Sequence, residues 1–176
     1  DLELYVTFYG GEPLLQFPLM KQCIDYAIQK VGKERELHFG FTTNLTLITK
    51  EMAEYFSSLK SCSITGSVDG PEEIHDANRI MVNHTGSFAK AMEGLKLLTD
   101  CISQKKTGLT VGINAVLTPP YTMERIERIN QFFRSISWLP SNITIHTSYM
   151  QGSTKKKAVN PKREEIMESL EESDPL

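Results

Sequence analysis

The sequence is short of cysteine, and the cysteines it has are scattered. Only three of the 176 residues are cysteines, and Cys23, Cys62 and Cys101 lie far apart along the chain. An odd, sparse set of thiols argues against a secreted, disulfide-bonded framework and favours a reducing cytoplasm. None of the three stands at a metal-ligand spacing, so we interpret each as a small buried hydrophobic residue.

Long apolar runs and an excess of one charge are also missing. No stretch approaches the roughly 18 apolar residues that a membrane helix needs, and the acidic opening Asp1-Leu2-Glu3-Leu4 is unlike a secretory signal. The 19 basic and 22 acidic residues give a net charge of −3, which leaves no basic field to follow a phosphate backbone. We interpret Lys155-Lys156-Lys157 as a solvated loop. We therefore expect a cytoplasmic protein that binds neither nucleic acid nor a membrane.

Short apolar runs alternate with amphipathic helical patterns along most of the chain. The pattern predicts strands at 4–9, 37–41, 63–67, 109–117 and 143–147, and four intervening helices that begin near Pro18, Thr49, Phe88 and Met123. The first helix should bury a stripe made of Met20, Ile24, Ala27, Ile28 and Val31. The alternation is typical of an α/β fold with parallel strands and right-handed crossovers. Periodicity alone does not distinguish a doubly wound sheet from part of a barrel.

In both architectures ligands bind at the carboxyl ends of the strands. Polar and glycine-rich strings follow the strands at these ends: Gly10-Gly11-Glu12-Pro13, Thr42-Thr43-Asn44, Ser67-Val68-Asp69-Gly70 and Thr118. Two glycines that turn carbonyl groups toward a ligand suit an ammonium group, which donates three hydrogen bonds and accepts none. The same string also fits a tight strand–helix turn.

Taken in order, these strings resemble the core of radical S-adenosylmethionine (SAM) enzymes. The strings similar to the family's second to fifth strand motifs are Phe8-Tyr9-Gly10-Gly11-Glu12-Pro13-Leu14-Leu15, then Thr42-Thr43-Asn44-Leu45-Thr46-Leu47, then Ser67-Val68-Asp69-Gly70-Pro71 with His75, Asp76 and Arg79, and then 111–118. Within the family the chain is most similar to the branch that modifies peptides and proteins, which includes anaerobic sulfatase maturases. The resemblance implies a partial (β/α)6, TIM-like barrel of parallel strands, the family's strands two to six, over residues 1–160. A charged helical segment is expected at 161–176.

The resemblance also implies a SAM site. Its eight candidate residues are Gly10, Gly11, Glu12, Asn44, Ser67, Arg79, Asn114 and Leu117. The first three would meet the amino group, Ser67 and Arg79 would hold the carboxylate and ribose region, and Leu117 would lie beside the adenine. The two asparagines would support the inner rim.

Three residues of the fourth motif also have a structural interpretation. We interpret Asp69 as the cap of a turn before Gly70-Pro71, and His75 as a residue that stabilises the loop. A surface ion pair is the alternative for Arg79.

One family feature has no counterpart in the sequence. The three cysteines that hold the family's [4Fe-4S] cluster are spaced Cys-x3-Cys-x2-Cys, and this spacing does not occur in the 176 residues. We therefore expect no metal ligands in this chain, and we expect it to be an inactive part of a longer enzyme. That enzyme would cleave SAM reductively and abstract hydrogen from a peptide or protein substrate, and its catalytic residues are unknown.

Two alternatives remain open. One is a non-catalytic barrel that binds SAM or a peptide, and the other is an unrelated nucleotide-binding α/β enzyme. The second lacks a phosphate loop or dinucleotide fingerprint in the sequence.

The strand at 4–9 carries one further expectation. If it is the family's second strand, the first strand is missing from one of its sides, and an unpaired apolar edge invites pairing with another chain. We therefore expect a dimer through this edge, or cover from the segment that begins at Pro161.

Overall fold

The computed structural model describes residues 3–31, 35–104 and 107–150, which form one five-stranded sheet with helices between the strands. The strands are β1 (Leu4–Phe8), β2 (Leu37–Thr43), β3 (Cys62–Ser67), β4 (Leu109–Leu117) and β5 (Thr144–Tyr149). The helices are α1 (Phe17–Val31), α2 (Lys50–Ser58), α3 (Glu72–Asp76), α4 (Phe88–Gln104) and α5 (Met123–Ser135), and a 3-10 turn spans Pro13–Gln16.

The strands follow one another across the sheet in chain order, and every neighbouring pair is parallel. A doubly wound sheet reverses its direction of growth at a switch point. Right-handed crossovers that always step the same way instead place every helix on one face, which is the pattern of a barrel wall. The predicted partial barrel is therefore confirmed, as an open sheet.

The two edges of this sheet are β1 and β5. Among the described residues, β1 pairs only with β2 and β5 pairs only with β4. The one-sided pairing predicted for β1 is thus present. The dimer across that edge stays a prediction, and the alternative cover from Pro161 onward lies outside the described residues, as do Lys155-Lys156-Lys157 and the helix expected at 161–176.

The hydrophobic core lies between the sheet and the helices. Its members form one cluster that includes Phe39, Phe41, Ile64, Val111 and Ile113 from the strands and Ile24, Phe56, Leu95 and Leu98 from the helices. Strand side chains alternate between the two faces of a sheet. Alternate residues of β2, β3 and β4 therefore face this core.

The opposite face of the sheet, which we call the inner face, carries small polar side chains. It includes Thr42, Ser63, Thr65, Thr110 and Asn114, of which the first, second and fourth are exposed. Neighbouring strands place these side chains level with one another, since Thr42 pairs in register with Thr65 and Ser63 with Thr110. The sheet therefore buries one face and leaves the other polar and accessible.

The loop after β2 is anchored by Leu45, whose side chain is fully buried. Leu45 has a φ of 68°, in the left-handed region that a branched residue adopts only under strain. Its side chain occupies the space that a Cβ at Gly66 would need, with Leu45 Cδ1 only 2.6 Å from that position. Its backbone carbonyl overlaps the position of a Cβ at Gly94 in α4. Two glycines therefore make room for one leucine.

Helix α2 begins where the sequence predicted. Thr49 is its N-cap, and the Thr49 hydroxyl oxygen accepts a hydrogen bond from the Met52 N–H at 3.2 Å. The cap satisfies one of the backbone donors that a helix start leaves without a partner.

Helix α1 buries a narrower stripe than predicted. Met20 and Ile24 are buried, but Ile28 is 44% exposed, because it lies on the flank of the stripe. Cys23 lies on the other flank and is exposed, so its interpretation as a buried hydrophobic residue is wrong. The interpretation holds for Cys62, where burial raises the thiol pKa to about 12, while Cys101 is half-buried.

Two short elements were not predicted, the 3-10 turn and α3. Each is four or five residues long, which is too short to show a 3.6-residue period. None of the described helices combines the length and apolar composition that crossing a membrane requires.

Candidate functional site

A cavity of about 360 Å³ opens at the carboxyl ends of β1, β2 and β3. Nine residues line it: Phe8, Tyr9, Gly10, Gly11, Thr42, Thr43, Asn44, Ser67 and Arg79. Five of the eight predicted site residues are among them, although they come from four separate segments of the chain. The cavity therefore brings together most of the candidate site.

The glycine pair after β1 presents bare backbone at this cavity. No heavy atom of the chain lies within 4 Å of the position that a Cβ would take at Gly10 or at Gly11. The packing of the described chain thus does not require glycine here. Glycines that border open space let a ligand approach the backbone closely.

Glu12 lies behind the cavity wall and joins β1 to β2. One carboxylate oxygen accepts from the Thr43 hydroxyl at 2.8 Å and from the Leu14 N–H at 3.2 Å. The other accepts from the Asn44 N–H at 2.8 Å. Glu12 therefore holds the end of β2 in place, and it also caps the 3-10 turn.

Arg79 enters the cavity with its guanidinium already held by Asp69. The Arg79 Nε–H donates to Asp69 Oδ2 at 2.7 Å, and Nη2–H donates to Asp69 Oδ1 at 3.1 Å. Asp69 Oδ1 also accepts from the Val116 N–H at 2.9 Å. The Asp69 side chain is 2% exposed and that of Arg79 is 26% exposed. Asp69 is therefore a buried ion-pair partner rather than a turn cap, and Arg79 is not a surface ion pair.

His75 holds the same loop from the other side. Its Nδ1 accepts from the Asp69 N–H at 3.3 Å, so the proton of the neutral ring lies on Nε2, which donates to the Ser87 hydroxyl oxygen at 3.0 Å. The Ser87 hydroxyl in turn donates to the Arg79 carbonyl at 2.9 Å. Burial lowers the pKa of His75, an effect that the charge of Asp69 partly opposes. His75 is thus a neutral residue that stabilises the loop, as interpreted from the sequence.

Two predicted site residues lie away from the cavity. Asn114 is on the inner face, in register with Ser67, and its side-chain oxygen accepts from the Ser148 hydroxyl at 3.1 Å. Leu117 is 5% exposed and belongs to the hydrophobic core on the helix-covered face. The side chain of Leu117 therefore does not face the inner rim, and its carbonyl oxygen already accepts from the Met150 N–H at 2.9 Å.

Sequence reasoning missed Thr43 and Asp69 as contributors to the site. Thr43 is 2% exposed, and its hydroxyl both donates to Glu12 and accepts from the Leu45 N–H at 3.0 Å. Its position directly before Asn44 in the third motif was the available signal. For Asp69 the signal was a carboxylate ten residues before an arginine in one motif.

The described residues do not bring thiols together at the cavity. Cys23 is on α1, Cys62 on β3 and Cys101 on α4. Over residues 3–31, 35–104 and 107–150, the one group of side chains close enough to share a metal ion is Glu3, Glu36 and His38. This group lies at the amino ends of β1 and β2, at the opposite end of the strands from the cavity. The donor set of an iron–sulfur cluster is therefore not present in the described residues.

The chain is similar to known proteins over most of its length. Residues 3–133 match the model of the Radical SAM superfamily. An uncharacterised protein of Methanothermobacter thermautotrophicus is 34% identical over 128 residues, which are 72% of this chain and 44% of that protein. The cysteine-type anaerobic sulfatase-maturating enzyme of Clostridium novyi is 28% identical over 129 residues, which are 73% of this chain and 32% of the enzyme.

A solved structure shares the fold. Native anSMEcpe with bound AdoMet (SAM) and the Kp18Cys peptide superposes with a TM-score of 0.72 at 20% identity, over 89% of this chain and 41% of that chain. The chain thus spans less than half the length of these relatives.

Proposed function

Because this chain belongs to the radical SAM superfamily, we propose that its cavity binds SAM as part of a longer enzyme that acts on a peptide or protein. Membership implies SAM and a [4Fe-4S] cluster as cofactors. It also removes the alternative of an unrelated nucleotide-binding enzyme. The observation that carries the proposal is the arginine fixed beside a bare glycine backbone in one cavity.

The residues present fit the amino-acid part of SAM. Gly10 and Gly11 leave backbone open for an ammonium group, and the carboxylate has Ser67 and Arg79 as donors. Glu12 is held by its own contacts, so its contribution to the ammonium would come from a remaining lone pair. Asn44 would border the same group. Asn114 would support the inner rim, and Leu117 would contact the ligand through its main chain.

The cluster, by contrast, does not fit the residues of this chain. When bound, it supplies the electron for reductive cleavage of SAM, after which a hydrogen atom is taken from the substrate. We propose that its ligands lie beyond these 176 residues and that the chain alone is inactive. Anaerobic reconstitution of the 176-residue chain should yield no four-iron EPR signal. A stoichiometric signal would contradict this part of the proposal.

The next part of the proposal is that the longer enzyme acts on a peptide or protein substrate. Two similarities support it: the relatives include anaerobic sulfatase-maturating enzymes, and anSMEcpe was solved with a bound peptide. The polar, accessible inner face suits a substrate that offers hydrogen-bonding groups. If the complete, reduced protein binds SAM but does not cleave it with or without a candidate peptide, the result favours the non-catalytic binding alternative.

Arg79→Ala tests the SAM site. In the complete protein the variant should weaken SAM binding about 10- to 100-fold, because a charge-assisted hydrogen bond contributes about 1.5–3 kcal/mol. Arg128→Ala is the matched control, since Arg128 pairs with Glu73 at the surface and does not line the cavity. Calorimetry measures both dissociation constants. An unchanged constant for Arg79→Ala would remove Arg79 from the site.

Assembly and location follow from separate features. We propose that a second copy can pair with β1, whose outer edge is unpaired among the described residues. Light scattering measures the molar mass of the unaltered chain and of Thr7→Pro. The variant should form less dimer, because proline removes a backbone N–H donor from this edge. A cytoplasmic location is proposed from the three isolated cysteines.

A further inference from the structure

We propose that Asp69 is a positioning residue, which fixes Arg79 so that the arginine meets the carboxylate of the ligand in one orientation. The inference rests on the SAM site proposed above, and it concerns a residue that does not line the cavity. Asp69 would act entirely through Arg79.

The hydrogen bonds of Arg79 leave a defined set of donors for a ligand. Nε–H and one N–H of Nη2 are taken by the two oxygens of Asp69, at 2.7 and 3.1 Å. Within the described chain, Nη1 makes no hydrogen bond, and Arg79 lines the cavity beside Ser67. An anion in the cavity therefore meets Nη1 and the second N–H of Nη2. A guanidinium that is already held on one edge loses little freedom when it binds on the other.

Asp69 is itself buried and fixed by hydrogen bonds of both its side chain and its backbone. Its side chain is 2% exposed, and Oδ1 also accepts from the Val116 N–H on β4 at 2.9 Å. Its own N–H donates to His75, which donates to Ser87, which donates to the Arg79 carbonyl. The contacts form a closed ring that begins and ends at Asp69 and fixes both the main chain and the guanidinium of Arg79.

The charge of Asp69 and its positioning of Arg79 have opposite effects on the binding of a carboxylate. One substitution can therefore distinguish the two effects. The Asp69 carboxylate neutralises the arginine and repels a second carboxylate that binds beside it. If Arg79 acted only through its charge, removing the charge of Asp69 would tighten binding. If the orientation of Arg79 matters more, the same change weakens binding.

The test is Asp69→Asn in the complete, cluster-loaded protein, with SAM and decarboxylated SAM as the two probes. We expect about a tenfold weaker dissociation constant for SAM and less than about a twofold change for decarboxylated SAM, which offers no carboxylate to Arg79. A role in folding alone would weaken both ligands equally. Tightened or unchanged SAM binding, or equal losses for both probes, would overturn the inference.

Two further variants complete the experiment. Asp100→Asn is the control, because the Asp100 carboxylate pairs with Lys96 at the surface and lies outside the ring of contacts around Arg79. It should leave the binding of both probes unchanged. Asp69→Ser replaces Asp69→Asn if the asparagine variant does not fold, since serine adds no amide donor opposite the Arg79 Nε–H.

The same measurements separate this inference from the proposed function. If the unaltered protein does not bind SAM, or does not prefer it to decarboxylated SAM, the proposed site fails and the role of Asp69 fails with it. If the unaltered protein prefers SAM and Arg79→Ala removes the preference, but Asp69→Asn keeps it, only the role of Asp69 is wrong.

Discussion

Truncation of the Leu45 side chain should change the loss of stability caused by Gly66→Ala but not the loss caused by Gly94→Ala. Leu45 Cδ1 and Cδ2 lie 2.6 and 2.9 Å from the Cβ position of Gly66, whereas the obstacle at Gly94 is the Leu45 backbone carbonyl. A side chain can be removed by mutation and a carbonyl cannot. Two double-mutant cycles on one leucine therefore distinguish the two contacts.

The magnitudes follow from packing. Gly66→Ala alone should cost about 1–3 kcal/mol by overpacking, and Leu45→Ala alone about 2–5 kcal/mol, because Leu45 is fully buried. In the Leu45→Ala background the new methyl at position 66 enters vacated space, so its cost should fall to about zero. The coupling free energy should be about 2 kcal/mol.

Gly94→Ala serves as the comparison. Its overlap with the Leu45 carbonyl persists in the Leu45→Ala background, so its coupling should stay within about 0.5 kcal/mol. Helix propensity favours alanine over glycine by about 1 kcal/mol in both backgrounds and cancels from the cycle.

Equilibrium urea unfolding followed by circular dichroism measures the free energy of unfolding of all five variants. Glu93→Ala, at an exposed position on α4, is the control substitution and should leave this free energy nearly unchanged. Equal coupling at the two glycines would refute the reasoning, since it would mean that the Leu45 side chain is not wedged against Gly66. The functional consequence is that Leu45 fixes the loop whose residue Asn44 lines the cavity.

Three other predictions concern separate parts of the molecule. Burial holds the pKa of His75 in the folded chain below its usual 6.5. The unfolded chain therefore takes up the proton first, and the free energy of unfolding should fall as the pH drops below about 6.5. Urea unfolding at a series of pH values should show a weaker pH dependence of this free energy in His75→Ala. Cys23 should react with a thiol reagent in the native protein, while Cys62, with its thiol pKa near 12, should react only on unfolding. Thr49→Ala should lower the free energy of unfolding by about 1 kcal/mol through loss of the α2 cap.

Each of these three has a result that would contradict it. An unchanged pH dependence in His75→Ala would mean that another group controls acid stability. Rapid labelling of Cys62 itself under native conditions, identified by peptide mapping, would place Cys62 outside the core. A Thr49→Ala variant as stable as the original would mean that water replaces the cap at no cost.

Local patterns were enough to predict the strands and the long helices. Thr49 was recognisable as a cap because a threonine precedes an acidic first turn and an apolar stripe. The carboxyl-end location of the cavity followed from the rule that parallel sheets bind ligands there. These features depend on residues near in sequence, so sequence reasoning reaches them.

Features that depend on distant residues were harder to predict. The role of Asp69 required knowing that its carboxylate meets Arg79 and the Val116 N–H, which lies 47 positions away. The side chain of Leu117 faces the core because β4 alternates strictly, and the motif did not give the phase of that alternation. Cys23 is exposed because α1 buries a narrow stripe, and stripe width depends on what lies beneath the helix.

The contrast between the two faces of the sheet has a consequence for how such a protein can change over evolutionary time. Substitutions at Phe41, Ile64 or Val111 disturb a packed core, so selection for a folded chain restricts them. Substitutions at exposed inner-face positions such as Ser63 and Thr110 disturb little packing. One scaffold can therefore change the chemistry of its inner face without a matching loss of stability, provided that the ring of contacts around Arg79 is kept.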